Sequence, residues 1–230
     1  MTRPVSATSL YARLRDACAS EWTAYTQHPF VRQLADGTLP EACFRHYLIQ
    51  DYLFLIHFAR AYGLATFKSE TLDDIRRAAG GLSAIVDTEM DLHVTYCARW
   101  GLTEKDMAAA PEAPATMAYT RYVLERGLAG DLLDLQVALA LCIVGYAEIG
   151  RALADDPATI RHGKPYDDWI EMYASEDYQN VSAEHVQQMD VLMRRRGADG
   201  RLDALVRTFS EATRLEAAFW DMGLAAEDRG

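Results

Sequence analysis

The sequence contains no convincing run of alternating β-branched and polar residues, so nothing in it reads as a β-strand. It has no Pro/Gly/Ser-rich linker, no low-complexity tract and no internal repeat, so residues 1–230 are expected to form one domain. Cysteine is sparse. The four present (Cys18, Cys43, Cys97 and Cys142) show neither C-x-x-C nor zinc-site spacing. The opening stretch, MTRPVSATSLYARLRD, lacks the apolar segment of a signal peptide. Together these features predict free thiols in a reducing cytoplasm. Positive charge is also short: 23 Lys and Arg face 34 Asp and Glu, for a formal net charge of −11. That excludes non-specific binding to nucleic acid or to an anionic membrane, which both need basic patches. The single dense basic run, Arg194-Arg195-Arg196, precedes Gly197, where cations complement the negative end of a helix.

What is present is helical periodicity almost throughout. The chain is organised around Asp131 to Gly150, whose residues Leu135 to Tyr146 are apolar on nearly every side, as in a buried central helix. Asp134, Gln136 and Glu148 interrupt it, and it reads as too short to span a bilayer. Its middle holds one thiol, Cys142, with Tyr146 one turn later on the same face. A free cysteine is often only a small buried hydrophobe, so Cys142 needs partners on other helices to become chemistry.

The first helix is expected over Ser9 to Gln27, with Leu10, Leu14, Cys18 and Trp22 on one stripe, ended by His28-Pro29-Phe30. Thr38 and Glu41 have capping-box spacing, with Pro40 in the first turn. The helix that follows carries Phe44, Tyr47, Leu48, Asp51, Leu55 and Phe58 at helical spacing, so Asp51 lies on an apolar stripe. A buried carboxylate must be paired or hydrogen-bonded. Asp51 is therefore either bonded to a neighbouring helix or set to accept from a polar ligand. A third helix is expected from Thr71, with Asp74 in a weaker capping box, to Trp100, its stripe including Ile75, Leu82, Val86, Met90 and Cys97. Glu89 and His93 are one turn apart, a spacing open to a metal. Di-iron bundles, however, need Glu-x-x-His on two helices, and no such pair is present, so helix packing or a surface role fits better.

Pro111 to Pro114 reads as a loop before a helix over Ala115 to Arg126 that carries Tyr119 and Tyr122. Later helices are expected over Pro165 to Ala174, with Tyr166, Trp169 and Tyr173; over Ser182 to Arg196; and over Leu202 to Met222, stopping at Gly223. In the last one Leu205, Phe209, Ala212, Glu216 and Phe219 step by four and three, which puts Glu216 on a buried face. Three apolar stripes thus each carry one reactive group: Asp51, Cys142 and Glu216. That pattern predicts an internal polar pocket, with Tyr119, Tyr146 and Tyr173 as walls for a flat ligand.

Several stretches carry a resemblance: HPFVRQLADGTLPEACFRHYLIQDYLFLIHFAR, the Tyr119 segment, ALCIVGYAEIG, YASEDYQ and the closing LEAAFWDMG. In order and spacing the chain resembles the TenA/thiaminase II family over most of its length. The resemblance implies an all-α, haem-oxygenase-like multi-helix bundle around the buried central helix, assembled as a homotetramer. It implies hydrolysis of an aminopyrimidine: aminomethyl-pyrimidine (amino-HMP) to hydroxymethyl-pyrimidine (HMP) and ammonia for thiamin salvage, with thiamin itself also cleaved, and no metal or organic cofactor. Carried over residue by residue, Cys142 is the nucleophile and Glu216 the glutamate of the final helix. Asp51 in the pair Gln50-Asp51 binds the pyrimidine, and Tyr119, Tyr146 and Tyr173 are site tyrosines. Phe54 stands where many members have tyrosine, so a hydroxyl close to the site is missing. Two other readings are carried alongside. One is a metal-dependent or oxygen-using bundle with Glu89, His93 and His57 as ligands. The other is a pyrimidine-binding or regulatory protein without turnover.

Overall fold

The computed structural model describes residues 8–161 and 166–226, and all regular structure among them is helical. The first expected helix is two: α1 (Leu10–Ala17), capped by the Ser9 hydroxyl accepting from the Ala12 N–H, and α2 (Ala19–Thr26). The chain breaks at Cys18 (φ −118°), which neither proline nor glycine marks. Pro29 then opens α3 (Pro29–Ala35), with the His28 ring as its N-cap.

The long helix α4 (Glu41–Lys68) starts after Pro40, which is its N-cap, so the expected Thr38 cap is corrected. Thr38 donates instead, through its N–H and its hydroxyl, to the Asp36 carboxylate, and the two form a local turn that competes with capping. Thr71 caps α5 (Leu72–Ala84) through the Asp74 N–H, and the hydroxyl of Thr71 donates to the Asp74 carboxylate. A π-turn over Ile85–Glu89 links α5 to α6 (Met90–Ala98). Of the stripe expected here, Val86 is exposed, and the buried positions include Ala78, Ile85, His93, Tyr96 and Cys97. A capping box of Thr103 and Asp106, not singled out from sequence, opens α7 (Glu104–Ala109). Pro114 opens α8 (Pro114–Ala129), longer at both ends than expected.

The central stretch is α9 (Leu132–Ala140), a second π-turn over Leu141–Gly145, and α10 (Tyr146–Asp155). Every residue from Leu135 to Ala147 is buried. By length and hydropathy alone Leu132–Asp155 reaches the range of a membrane span, which corrects the expectation that it is too short. But 89% of its most apolar window is buried in protein, as in a core helix. Further on, α11 (Asp167–Ala174) begins just after the segment 162–165; the expected start at Pro165 lies outside the described residues. The next helix, α12 (Glu176–Arg195), is capped by Ser175 and not by Ser182, which is buried inside it. The last, α13 (Leu202–Leu224), runs through Gly223.

The described residues group into two compact units. In the unit of 40–135 and 221–226, α4 is the axis against which α5, α6, α7 and α8 pack. In the unit of 8–39 and 136–220, α12 packs on α1, α11 and the π-turn at Leu141–Gly145, and α10 packs on α11. Here the buried His185 ring donates from Nε2 to the Gln136 carbonyl at 2.9 Å. Burial pushes His185 down to about 4 from its ordinary 6.5, because the charged ring would lose its water. A folded value below the unfolded one means that stability is whole above pH 6.5 and falls as pH drops toward 4. Roughly 3 kcal/mol is expected to be lost over that window. Urea melts at stepped pH test this, with His185→Gln flattening the slope.

Candidate active site

The unit around α4 holds the carboxylate that the sequence singles out. Asp51 is buried, and so is His93 on α6. The His93 ring meets Asp51 Oδ2 with Nε2 at 2.7 Å and the Glu89 carbonyl with Nδ1 at 2.8 Å. Tyr47, one turn before Asp51, donates its hydroxyl to the same Oδ2 at 3.1 Å. Both hydrogen bonds described for Asp51 therefore fall on one oxygen. Burial disfavours a charged His93, but hydrogen bonding and attraction to Asp51, aided by Glu89, outweigh it and raise the ring above its ordinary value. The Cys97 thiol is pushed up to about 11, first by burial and then by the Asp51 charge, so it stays protonated at neutral pH.

The neighbour of Asp51 is a brace. Gln50 donates to the Pro111 carbonyl at 3.0 Å and accepts from the Ala113 N–H at 2.8 Å and the Thr116 hydroxyl at 2.7 Å. These bonds tie α4 to the start of α8, which carries Tyr119. One turn after Gln50, Phe54 packs on the Tyr119 ring with centroids 5.1 Å apart. Of the expected site residues, this unit brings together Phe54 and Tyr119 and holds Asp51 on the same helix as Phe54.

The other unit holds Cys142, Tyr146, Tyr173 and Glu216, all buried. Cys142 lies inside the π-turn at Leu141–Gly145. A π-turn inserts one residue into a helix, unsettles the regular carbonyl partners and commonly marks a functional site. Here Tyr25 donates its hydroxyl to the Leu141 carbonyl at 3.3 Å, and Tyr178 donates to the Cys142 carbonyl at 3.1 Å. Gly145 lets the Tyr25 ring come this close, since a Cβ there would fall 2.6 Å from its Cε1. Two of the three tyrosines expected as walls meet: Tyr146 and Tyr173 have ring centroids 5.0 Å apart, and Trp169 and Tyr178 pack on Tyr173 at 4.6 and 4.8 Å. Glu216 is 1% exposed on α13, between Phe209 and Phe219 as the stepping predicts.

The packing of α10 on α11 depends on Gly150. A Cβ there would stand 2.5 Å from Tyr173 Cβ and 2.8 Å from its carbonyl carbon, and a backbone atom cannot move aside as a side chain can. Gly150→Ala is expected to cost about 1–3 kcal/mol by overpacking and to displace the Tyr173 ring. A chemical melt and the fluorescence of neighbouring Trp169 check both.

The alternative metal set is not assembled. His57 bonds Glu112 at 2.6 Å, and Arg121 grips the same carboxylate with two bonds. His93 is engaged by Asp51, and among the described residues no three His, Cys, Asp or Glu side chains are placed to hold a metal ion. Sequence reasoning weighed His93 beside Glu89 and missed it as the partner of Asp51. It also missed Tyr25 and Tyr178, because no sequence signal announces which hydroxyl will reach a loosened helix carbonyl.

Residues 15–226 match the TENA/THI-4/PQQC family. The chain belongs to that family. A TenA family transcription regulator from Silicibacter sp. TM1040 has a solved structure similar to this chain. The TM-score is 0.90 at 41% identity, covering 97% of this chain and 99% of that one. An uncharacterised protein of Haemophilus influenzae is 40% identical over 88% of this chain and 93% of its own length. The aminopyrimidine aminohydrolase of Halalkalibacterium halodurans is 36% identical over 93% of this chain and 95% of its own. A Shewanella denitrificans domain with a haem-oxygenase-like fold, 16% identical with a TM-score of 0.69 over 95% of this chain and 93% of its own, speaks to architecture alone. The TENA/THI-4/PQQC chain described here thus has the all-helical, haem-oxygenase-like architecture expected from its sequence.

Proposed function

We propose that this protein is an aminopyrimidine aminohydrolase of the thiaminase II type. It hydrolyses amino-HMP, and thiamin as a second substrate, to HMP. The reading is supported by the similarity to the Halalkalibacterium halodurans aminohydrolase along nearly the whole of both chains. The observation that carries it is Asp51. Its described bonds load Oδ2 and leave Oδ1 to accept from the ring amino group of an aminopyrimidine. Glu216, on an apolar face, supplies a proton to a ring nitrogen, which makes the ring an electrophile. The Cys142 thiolate then adds to the ring. Ammonia leaves the exocyclic methylene of amino-HMP (the thiazole leaves in the case of thiamin), water takes its place and the thiol is released. Tyr119, Tyr146 and Tyr173 flank the ring, and Phe54 stacks beside it without adding a hydroxyl.

The proposal needs no metal or organic cofactor. It places the enzyme in a reducing cytoplasm, in keeping with four free thiols, and assembles it as a homotetramer in which residues 1–230 act as one domain. The test is to incubate purified protein with amino-HMP and, separately, thiamin, and to follow HMP by chromatography. HMP forming faster from amino-HMP supports the proposal. HMP from neither sinks it. A melting temperature raised by pyrimidine without HMP would then favour the binding or regulatory reading, with Phe54 in place of a hydroxyl as its basis.

A further inference from the structure

Both ring nitrogens of His93 face acceptors. Nδ1 lies 2.8 Å from the backbone carbonyl of Glu89, which can only accept, and Nε2 lies 2.7 Å from Asp51 Oδ2. A neutral imidazole has one N–H, so Nδ1–H to the carbonyl would set a bare Nε2 lone pair against the carboxylate. Two arrangements relieve this: a doubly protonated ring beside a carboxylate, or a neutral ring beside a protonated Asp51. Tyr47 distinguishes them. Its hydroxyl also donates to Oδ2, and a second donor on that oxygen favours the carboxylate form.

We propose that His93 is a positioning residue held as a buried imidazolium, which keeps Asp51 ionised and directs its Oδ1 toward the amino group of the substrate. The consequence for turnover rests on the aminohydrolase reading; the ion pair itself does not. Asp51 from α4 and Glu89 in the π-turn face the ring; Tyr47 stands at the same Asp51 oxygen, and Cys97, one turn along α6, feels the Asp51 charge and has a neutral thiol. The charged ones, Asp51 and Glu89, are both negative and favour the protonated ring. The raised value of His93 agrees with this geometry. The π-turn over Ile85–Glu89 places the Glu89 carbonyl where Nδ1 meets it, and that bond fixes the ring plane.

Two measurements test the pair. In the wild-type protein with isotope-labelled histidine, the His93 ring, assigned by its loss in His93→Gln, is expected to carry protons on both nitrogens at a pH above the ordinary histidine value of about 6.5. His57 and His185 are both lowered and do not compete for that signal. No doubly protonated ring at that pH overturns the proposal, whether or not any variant folds. The second measurement is the pH profile of kcat/KM in His93→Gln, which can still donate to Asp51 but carries no charge. KM is expected to rise about tenfold, the loss of support from one charge-assisted bond. The alkaline limb set by deprotonation of His93 should vanish. A folded His93→Gln with the wild-type profile and KM overturns the positioning role. A wild type that makes no HMP sinks the aminohydrolase reading while the histidine spectrum still decides the pair.

Discussion

Cys142→Ala is expected to lower HMP formation from amino-HMP at least about a thousandfold, with the helical fold and melting temperature close to wild type. The expectation rests on the separation of two roles at this position. The π-turn is held through backbone carbonyls: Tyr25 on Leu141 and Tyr178 on Cys142 itself. Neither bond involves the sulfur, so alanine leaves them in place and removes only the thiol. A cavity the size of one sulfur costs about 1 kcal/mol, small against typical stabilities of 5–15 kcal/mol. Circular dichroism and a thermal melt establish the fold, and single-turnover chromatography of HMP measures the chemistry. Cys142→Ser makes a useful companion, since its hydroxyl fills the space but is a far weaker nucleophile. Substantial turnover by a correctly folded Cys142→Ala protein would end the covalent mechanism.

The second large effect is expected from Asp51→Ala, and here activity and stability should fall together. The substitution removes the acceptor proposed for the ring amino group, so turnover should drop about a hundredfold or more. It also leaves the buried His93 without its carboxylate. Removing one partner of a buried ion pair costs about 3–5 kcal/mol, because the remaining charge has no compensation. The cost should depend on pH in a defined sense. His93 is raised in the native protein, so the stability its pairing contributes is whole below pH 6.5 and fades as pH rises through the raised value. Asp51→Ala should therefore be most destabilising near pH 6 and less so above the raised value of His93, where the ring is neutral. Urea melts of both proteins across that range give the difference directly. A pH-independent difference would mean that His93 is not charged in the native state.

The periodic elements were legible where one face is apolar and the other wet. On α13 the steps of four and three place Leu205, Phe209, Ala212, Glu216 and Phe219 on a buried face, and all five are buried. Asp51 stood out for the same reason, as a carboxylate in an apolar register. What the sequence did not show are features that leave periodicity nearly intact. Each π-turn adds a single residue to a helix of more than twenty, and neither is marked by proline. The break at Cys18 likewise has no breaker residue. Ser175 and Ser182 are alike as caps, and the decision falls to Ser175, whose hydroxyl accepts from the Tyr178 N–H before the acidic first turn of Glu176 and Asp177. The link from Asp51 to His93 spans forty-two positions and depends on how α4 and α6 pack, which one-dimensional patterns do not encode.

The π-turn at Leu141–Gly145 also bears on how this site can change by mutation. A helix with one residue in excess lies a single codon deletion from a regular α-helix. Losing one residue between 141 and 145 would let the wide turn close to a regular one with the flanking faces kept, whereas losing one within α10 would turn everything beyond it by about 100°, one residue's share of a 3.6-residue turn. In the first case Tyr146 and Gly150 keep the faces they now occupy, while the backbone that carries Cys142 changes its pitch. In-frame deletions in the π-turn should therefore be better tolerated by the fold than in-frame deletions within α10. A library of single-codon deletions across 141–155, scored for folded protein, would show this as a step in tolerance at the start of α10.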